Sequence, residues 1–410
     1  MPKQRGKRGA GPRRSARRRR QPATSAPFTA QVRDLCSDGR GVVTAPDGRV
    51  TFVAGAWAGE QVRVIVRRQQ GRVAEGELLE VLQPHPGRRR PPCPHQGFTA
   101  VACGGCPWQF MDYPSQLAAK QQRLERTVAA VVGDPASAPE VAVLAAPIEW
   151  GYRNRAQFKS DGERLGYVAL RSRSLVDVTT CPVLSPVNQA KLEALRDALP
   201  VEAWRPTRSR AWTTLDIDDK RRDVMINQRQ PFRQGNTAQN TAMQTWLRDQ
   251  LASAPPGGKI LELFAGSGNF TAVLAGSKRP IVAAEVADAA LRAIVDAGLP
   301  NVAVEPCDLF DPAAAAEMAA RHSDTRVLML DPPRDGFTTR EAVLPALKAL
   351  ERVFYISCDL ATWQRDVGSL LKRGFVLDTV SLVDLFPQTP HVEVLSALSR
   401  PREPVVIRRW

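Results

Sequence analysis

The sequence predicts an α/β protein, with a doubly wound, mostly parallel sheet in its C-terminal half and a small all-β barrel before it. Two observations carry that expectation. From about residue 237 onward, apolar strand-length runs at 259–263, 281–284, 302–304, 327–330, 353–357, 376–380 and 392–397 alternate with helix-length segments, the pattern of successive βαβ units. Between residues 28 and 82, five short β-rich runs (28–32, 41–43, 50–53, 60–66 and 73–81) are separated by the turn signals Ser37-Asp38-Gly39, Pro46-Asp47-Gly48 and Gln70-Gly71.

The elements follow in order. Residues 1–26 are Arg, Gly, Pro and Ser with little to bury and are expected to be a disordered basic tail. Residues 27–84 form the barrel. Within it Val62, Val64 and Val66 alternate with Arg63, Ile65 and Arg67, the period of a strand with one wet, basic face. Five strands in so short a span suit the OB type, a common nucleic-acid binder. Residues 85–230 make a central domain: a Pro- and Gly-rich stretch holding three cysteines, a helix over roughly 114–132 with Leu117, Leu124, Val128 and Val131 near helical spacing, and a mixed region. Residues 231–410 hold the sheet.

Composition narrows the function. The 410 residues allow two or three domains, and no apolar run is long enough to span a membrane. The formal net charge is +15. Ten of the 57 Lys and Arg lie in residues 1–20 with no acid among them, so the other 47 against 42 acids leave the body at +5. Both parts point to a polyanionic partner, with the tail as a sequence-blind phosphate tether. Seven cysteines in so long a chain are no disulfide scaffold, and the N-terminus lacks a signal peptide's apolar core, so a reducing compartment, the cytoplasm, is expected.

Five constellations carry chemistry. In Ile260-Leu261-Glu262-Leu263-Phe264-Ala265-Gly266-Ser267-Gly268-Asn269-Phe270 an apolar strand runs into a Gly-x-Gly turn and then a helix, where a backbone free of side chains passes close to a nucleoside. Glu285, at the end of the next strand, is placed to bind ribose hydroxyls. The missing third glycine disfavours a dinucleotide. In Leu328-Met329-Leu330-Asp331-Pro332-Pro333 a buried strand ends in an acid followed by a loop stiffened by two prolines. In Ser357-Cys358-Asp359 a cysteine sits at a strand's carboxyl tip, and a helix starting just after it would lower the thiol's pKa; an inert core cysteine is the competing reading. Cys93, Cys103, Cys106 and the distant Cys181 form Cys-x9-Cys-Gly-Gly-Cys plus one, a donor set for zinc or an iron–sulfur cluster, with Cys36 and Cys307 left as structural. The loop Asp384 to Val392 leads through His391 to Glu393, which the strand order places beside the tips bearing Asp331 and Cys358.

Taken together, these motifs resemble the RNA uracil-C5 methyltransferase family, in particular its ribosomal branch with an N-terminal TRAM (OB-like) domain and a 4Fe-4S cluster. The resemblance covers about residues 28–397 and includes Phe232-Arg233-Gln234-Gly235-Asn236 in the family's Phe-x-Gln-x-Asn slot. It implies a Rossmann-like class I methyltransferase domain, the TRAM barrel and a small iron–sulfur-bearing central domain. It further implies Cys358 as nucleophile and Glu393 as the base. Gln234, Phe264, Gly266, Gly268, Asn269, Glu285, Asp308 and Asp331 would line the S-adenosylmethionine and target-base pocket. Cys93, Cys103, Cys106 and Cys181 would ligate the cluster; the family usually has about five residues between the first two, and nine here imply an inserted loop.

The chemistry explains these groups. Carbon 5 of uracil is too weak a nucleophile to attack a sulfonium methyl unaided, and a thiolate adding to carbon 6 makes it an enolate carbon. A base must then take the proton from carbon 5 before the cysteine can leave. The expected function is methyl transfer from S-adenosylmethionine to a uridine of RNA, 23S rRNA in first place, by a monomer without a membrane partner. The alternatives are the same chemistry on a cytidine or a tRNA uridine, and a non-catalytic RNA-binding or ribosome assembly factor, which would need neither Cys358 nor Glu393.

Overall fold

The structure is a computed structural model that describes residues 21–22, 26–170, 172–228 and 230–401. The expected disordered tail lies almost wholly outside the described residues. The chain divides into two compact units, Met1–His85 and Pro86–Trp410.

The first unit is a strand-rich barrel of β1 (Gln21–Pro22), β2 (Phe28–Gln31), β3 (Asp34–Leu35), β4 (Gly41–Thr44), β5 (Val50–Val53), β6 (Gln61–Gln70) and β7 (Val73–Gln83). The strands run in the order β1-β6-β7-β5-β4-β3, with β2 also on β6. The Val32 N–H to Glu60 O and Arg33 N–H to Val42 O bonds carry the chain from β2 towards β4. The expected alternation holds: Val62, Val64 and Val66 are buried with Val43 and Val53, while Arg63 and Arg67 face out. Gly76 of β7 lies where strands crowd, since a Cβ there would come within 2.7 Å of Val64 Cγ1. The wet face is less basic than its sequence suggests. Arg63, Arg67 and Arg68 of β6 face Glu80, Glu77 and Glu75 of β7 at 3.5, 2.6 and 3.8 Å, so cross-strand acids offset much of its charge.

The second unit opens with α1 (Tyr113–Val132). Asp112 caps it by accepting the Ser115 N–H at 3.0 Å, Pro114 fits its first turn, and Gly133 ends it at φ 82°. Its buried stripe is Gln116, Lys120, Leu124 and Val128, four residues apart, so half of the buried face is polar. Strand β8 (Val141–Leu144) follows. Then β9 (Arg155–Ser160), β10 (Leu165–Val168), β11 (Leu175–Asp177), α2 (Pro186–Asp197), β12 (Thr213–Asp218) and β13 (Met225–Ile226) build an antiparallel sheet, ordered β11-β10-β9-β12-β13, with a core of Phe158, Leu165, Leu192, Leu215 and Ile217.

The remaining elements alternate as the sequence predicts: α3 (Thr237–Ser253), β14 (Lys259–Leu263), α4 (Thr271–Ala275), β15 (Ile281–Glu285), α5 (Asp288–Asp296), β16 (Val302–Pro306), α6 (Pro312–Arg321), β17 (Thr325–Leu330), α7 (Arg340–Val343), β18 (Arg352–Ser357), α8 (Leu360–Lys372), β19 (Val376–Val383) and β20 (Glu393–Ser399). The sheet order is β16-β15-β14-β17-β18-β20-β19-β8. Strands β14 to β18 are parallel, and β20 runs antiparallel between β18 and β19. Successive residues of one strand enter different cores: Leu261, Leu328 and Val353 on one face, Ile260, Val327 and Phe354 on the other. A sheet buried on both faces explains its nearly unbroken apolar strands. Strand β8 is an eighth strand absent from the sequence expectation; it comes from the segment before residue 231 and pairs in parallel with β19.

Candidate active site

The expected site residues lie just past the carboxyl ends of β17 and β18 and at the start of the antiparallel β20. Cys358 is one residue past β18 and Glu393 is the first residue of β20. The antiparallel register pairs Ser357 with Val394, so the next step along each strand sets Cys358 opposite Glu393. Asp331 is one residue past the neighbouring β17, and Arg334 lies three residues further on.

The charges in this corner oppose one another. Burial, followed by the carboxylates of Glu393 and Asp331, pushes the Cys358 thiol up to about 11 against the pull of Arg334. Burial and then Asp331 push Glu393 up to about 8, again with Arg334 opposing, and burial alone holds Asp331 at about 7. Three acidic groups so close in a desolvated corner cannot all ionise together. The expected lowering of the thiol by the helix start is therefore overturned. Helix α8 does begin there, but its cap Asp359 takes the Ala361 and Thr362 amides at 2.9 and 3.0 Å, so two of the helix's first-turn donors serve that carboxylate.

The Gly-x-Gly turn follows β14. Phe264 has φ 61°, a left-handed backbone rare outside glycine, and its ring packs against Phe310 and Phe337 at centroid distances of 5.9 and 6.4 Å. Gly266 adopts φ 54° with nothing within 4 Å of where a Cβ would stand, an open cradle beside the sheet. The Glu285 carboxylate accepts N–H bonds from Gly266 at 3.1 Å, Val286 at 2.8 Å and Ala287 at 3.1 Å, tying the turn to the tip of β15. Asp308 is exposed just past β16, where the adjacent Cys307 N–H reaches Glu285 O at 3.0 Å, and its carboxylate accepts the Phe310 N–H.

Asn269 and Gln234 are placed by α3 and its approach. The Asn269 amide exchanges hydrogen bonds with Asn240 at 2.9 and 3.0 Å and accepts another from Gln244, so it docks the glycine turn onto α3. Gln234 is buried, and its carbonyl accepts from Asn154 Nδ2 at 2.9 Å. Gly268, at φ 88°, packs close to Ile294.

Sequence reasoning missed Glu262. It is 2% exposed in the middle of β14 and accepts the Thr271 hydroxyl at 2.6 Å, bridging the two ends of the turn. Burial raises it to about 8. An acid inside an otherwise apolar strand was its only signal.

Cys93, Cys103, Cys106 and Cys181 line one cavity together with His95, Gln109 and Tyr167. Burial and their neighbours raise Cys106 to about 12 and Cys181 to about 11, each thiol feeling at least one other as a like charge. The inserted loop between the first two cysteines folds back through Cys103 N–H to His95 O at 2.7 Å, returning Cys93 to the cavity. Among the described residues no three such side chains close on a point that would hold a single metal ion. Four thiols lining one cavity are a donor set for zinc or an iron–sulfur cluster.

Fold and site together define an S-adenosylmethionine-dependent methyltransferase of class I. The profile of the tRNA (uracil-5-)-methyltransferase family matches residues 209–400. An uncharacterized RNA methyltransferase of Nitrosomonas europaea is 37% identical over 91% of this chain and 97% of its own. The 23S rRNA (uracil(1939)-C(5))-methyltransferase RlmD of Halomonas elongata is 30% identical over 90% of this chain and 89% of its own. The structure of the Pyrococcus abyssi tRNA (uracil-54, C5)-methyltransferase with S-adenosyl-L-homocysteine shares the fold, with a TM-score of 0.67 at 19% identity over 90% of this chain and 100% of that one. The chain belongs to the RNA uracil-C5 methyltransferase family, and its reaction is methylation of uracil carbon 5 in RNA.

Proposed function

We propose that this enzyme methylates carbon 5 of a uridine in 23S rRNA through a covalent bond between Cys358 Sγ and carbon 6. The placing of Cys358 and Glu393 each one step beyond the last paired residues of β18 and β20, Ser357 and Val394, is the observation that carries this reading. The Cys358 thiolate adds to carbon 6, and the electrons of the 5,6 double bond move onto the carbon 4 oxygen as an enolate. Carbon 5 displaces the methyl group from the sulfonium, releasing S-adenosylhomocysteine. Glu393 then takes the proton from carbon 5, the double bond re-forms and the thiolate departs. The net products are 5-methyluridine, S-adenosylhomocysteine and one proton.

The roles of the other residues follow from their places. Phe264, Gly266, Gly268, Glu285 and Asp308 frame the nucleoside end of the methyl donor, and Asn269 holds the glycine turn against α3. Gln234 pairs with the uracil edge, and Asp331 lies between donor and base. Arg334 supplies the positive charge beside the forming thiolate. Cys93, Cys103, Cys106 and Cys181, around one cavity, would hold a 4Fe-4S cluster, which would cross-link the segments carrying them. The ribosomal assignment is supported by relatives named for 23S rRNA, and the position they are named for is the first to examine.

Purified protein, a 23S rRNA transcript and methyl-labelled S-adenosylmethionine test this, with the RNA digested to nucleosides. Label in 5-methyluridine is expected. Label in 5-methylcytidine would overturn the base, and label on tRNA alone would overturn the substrate.

A further inference from the structure

Loop 385–391, which leads into β20, has no regular secondary structure, yet most of its carbonyls are held by a different neighbour. Asn236 Nδ2 donates to Leu385 O at 3.2 Å, Lys120 Nζ to Phe386 O at 3.2 Å and Tyr152 Oη to Pro387 O at 3.0 Å. The Trp108 N–H donates to Gln388 O at 3.0 Å, and Arg123 Nη2 to Pro390 O at 2.6 Å. Gln388, at the centre, is fully buried with φ 70°, a conformation a residue with a side chain keeps only where its surroundings enforce it.

Its side chain shows what enforces it. The Gln388 N–H donates to Gln116 Oε1 at 2.8 Å, and Gln388 Oε1 accepts from Gln116 Nε2 at 2.9 Å and Arg89 Nη2 at 3.3 Å. Gln388 Nε2 donates to Glu149 Oε2 at 3.0 Å. Two of the loop's anchors, Trp108 and Tyr152, come from segments that neighbour the cysteine-lined cavity. Trp108 is two residues past Cys106, and Gln109, which lines the cavity, accepts the Cys93 N–H at 3.2 Å. Tyr152 lies between Gly151 and Arg153, whose N–H groups reach Pro182 O at 2.9 Å and Val183 O at 2.7 Å, two residues of the cavity lining.

We infer that Gln388 and Tyr152 are positioning residues that fix Glu393 by holding the loop that leads to it. This role rests on Glu393 being the base. A carboxylate that removes a proton from carbon 5 must be held within hydrogen-bond reach of it. Thiolate addition and methyl transfer depend on Cys358, at the end of a different strand. A loosened loop therefore slows only the last step, and methylated RNA stays bonded to Cys358 Sγ.

The test is a single turnover on rRNA transcript with labelled S-adenosylmethionine, quenched in denaturant, with protein-bound and released RNA measured separately. Gln388→Gly deletes the side-chain bonds while glycine accepts the φ without strain, and Tyr152→Phe removes one hydrogen bond. Glu393→Gln runs alongside, and S-adenosylmethionine binding reports folding. Release is expected to slow about tenfold in Gln388→Gly and about threefold in Tyr152→Phe, with adduct accumulating in both and donor affinity unchanged. Release at the wild-type rate in both, while Glu393→Gln accumulates adduct, overturns this inference and leaves Glu393 as the base. No adduct in Glu393→Gln overturns the role of Glu393 itself. If Gln388→Gly does not bind the donor, Tyr152→Phe decides alone.

Discussion

Cys358 and Glu393 each lie one step beyond Ser357 and Val394, the last paired residues of the antiparallel β18–β20 pair. A nucleophile and a base on adjacent strand tips can act on neighbouring atoms of one ring, because side chains at a directly opposed pair have Cβ atoms about 5 Å apart. Cys358→Ala is expected to lower methyl transfer by at least about a thousandfold, since no other group can make carbon 5 nucleophilic. Donor binding should be unchanged, which calorimetry checks.

The rate should rise with pH. Glu393 has to be a carboxylate to accept a proton, and burial with Asp331 nearby raises it to about 8. The last step therefore gains as pH rises through about 8, and the Cys358 thiol, pushed up to about 11, adds a second gain above that. A single-turnover pH profile measures both limbs. A rate that falls between pH 7 and 9 would contradict the assignment.

The same shift makes a stability prediction of opposite sign. Unfolded, Glu393 titrates near 4.5, so between there and about 8 the folded protein binds the extra proton. Its contribution to stability is fully present below about 4.5 and is lost as pH rises through 8. Glu393→Gln should raise the melting temperature at pH 8.5 by on the order of 1 kcal/mol in stability and change little at pH 4.5. Thermal melts at the two pH values check this.

Lys120 and Asp384 form a fully buried ion pair at 2.5 Å between α1 and the loop after β19. Lys120→Met leaves Asp384 buried and unpaired, and is expected to destabilise the protein by about 3–5 kcal/mol. Lys120→Met with Asp384→Leu should recover much of that loss. Denaturant unfolding of the two variants measures it.

Cluster removal is expected to lower the melting temperature, because Cys103, Cys106 and Cys181, raised by burial and by neighbouring thiols, would be left around the cavity without the group that cross-links them. Iron chelation followed by thermal melting checks this; an unchanged melting temperature would show that the cysteines hold nothing the fold needs.

Much of this fold was legible because its core strands are buried on both faces and write themselves as apolar runs between helices. β14 spans the residues expected, and β15 to β18 begin or end within a residue or two of them. β8 escaped because four apolar residues without a following helix carry no periodic signal. Helix α1 was found, but half of its buried stripe was not, since a search for apolar spacing passes over Gln116 and Lys120, which are buried to hold the loop before Glu393. Motif order marked Cys358, Glu393 and Asp331. The direction of the thiol's shift was not legible, because it is set by Glu393 and Asp331, brought to the same corner only by the sheet order.

The covalent step is the centre of this account, and RNA carrying 5-fluorouridine at the target tests it most directly. After methyl transfer no proton remains on carbon 5 for Glu393 to take, so elimination stalls and the adduct persists. Digestion and mass spectrometry should find one methylated fluoronucleotide on the peptide containing Cys358. Methyl transfer to ordinary RNA with no adduct on the fluorinated one, or an adduct on any other residue, would contradict it.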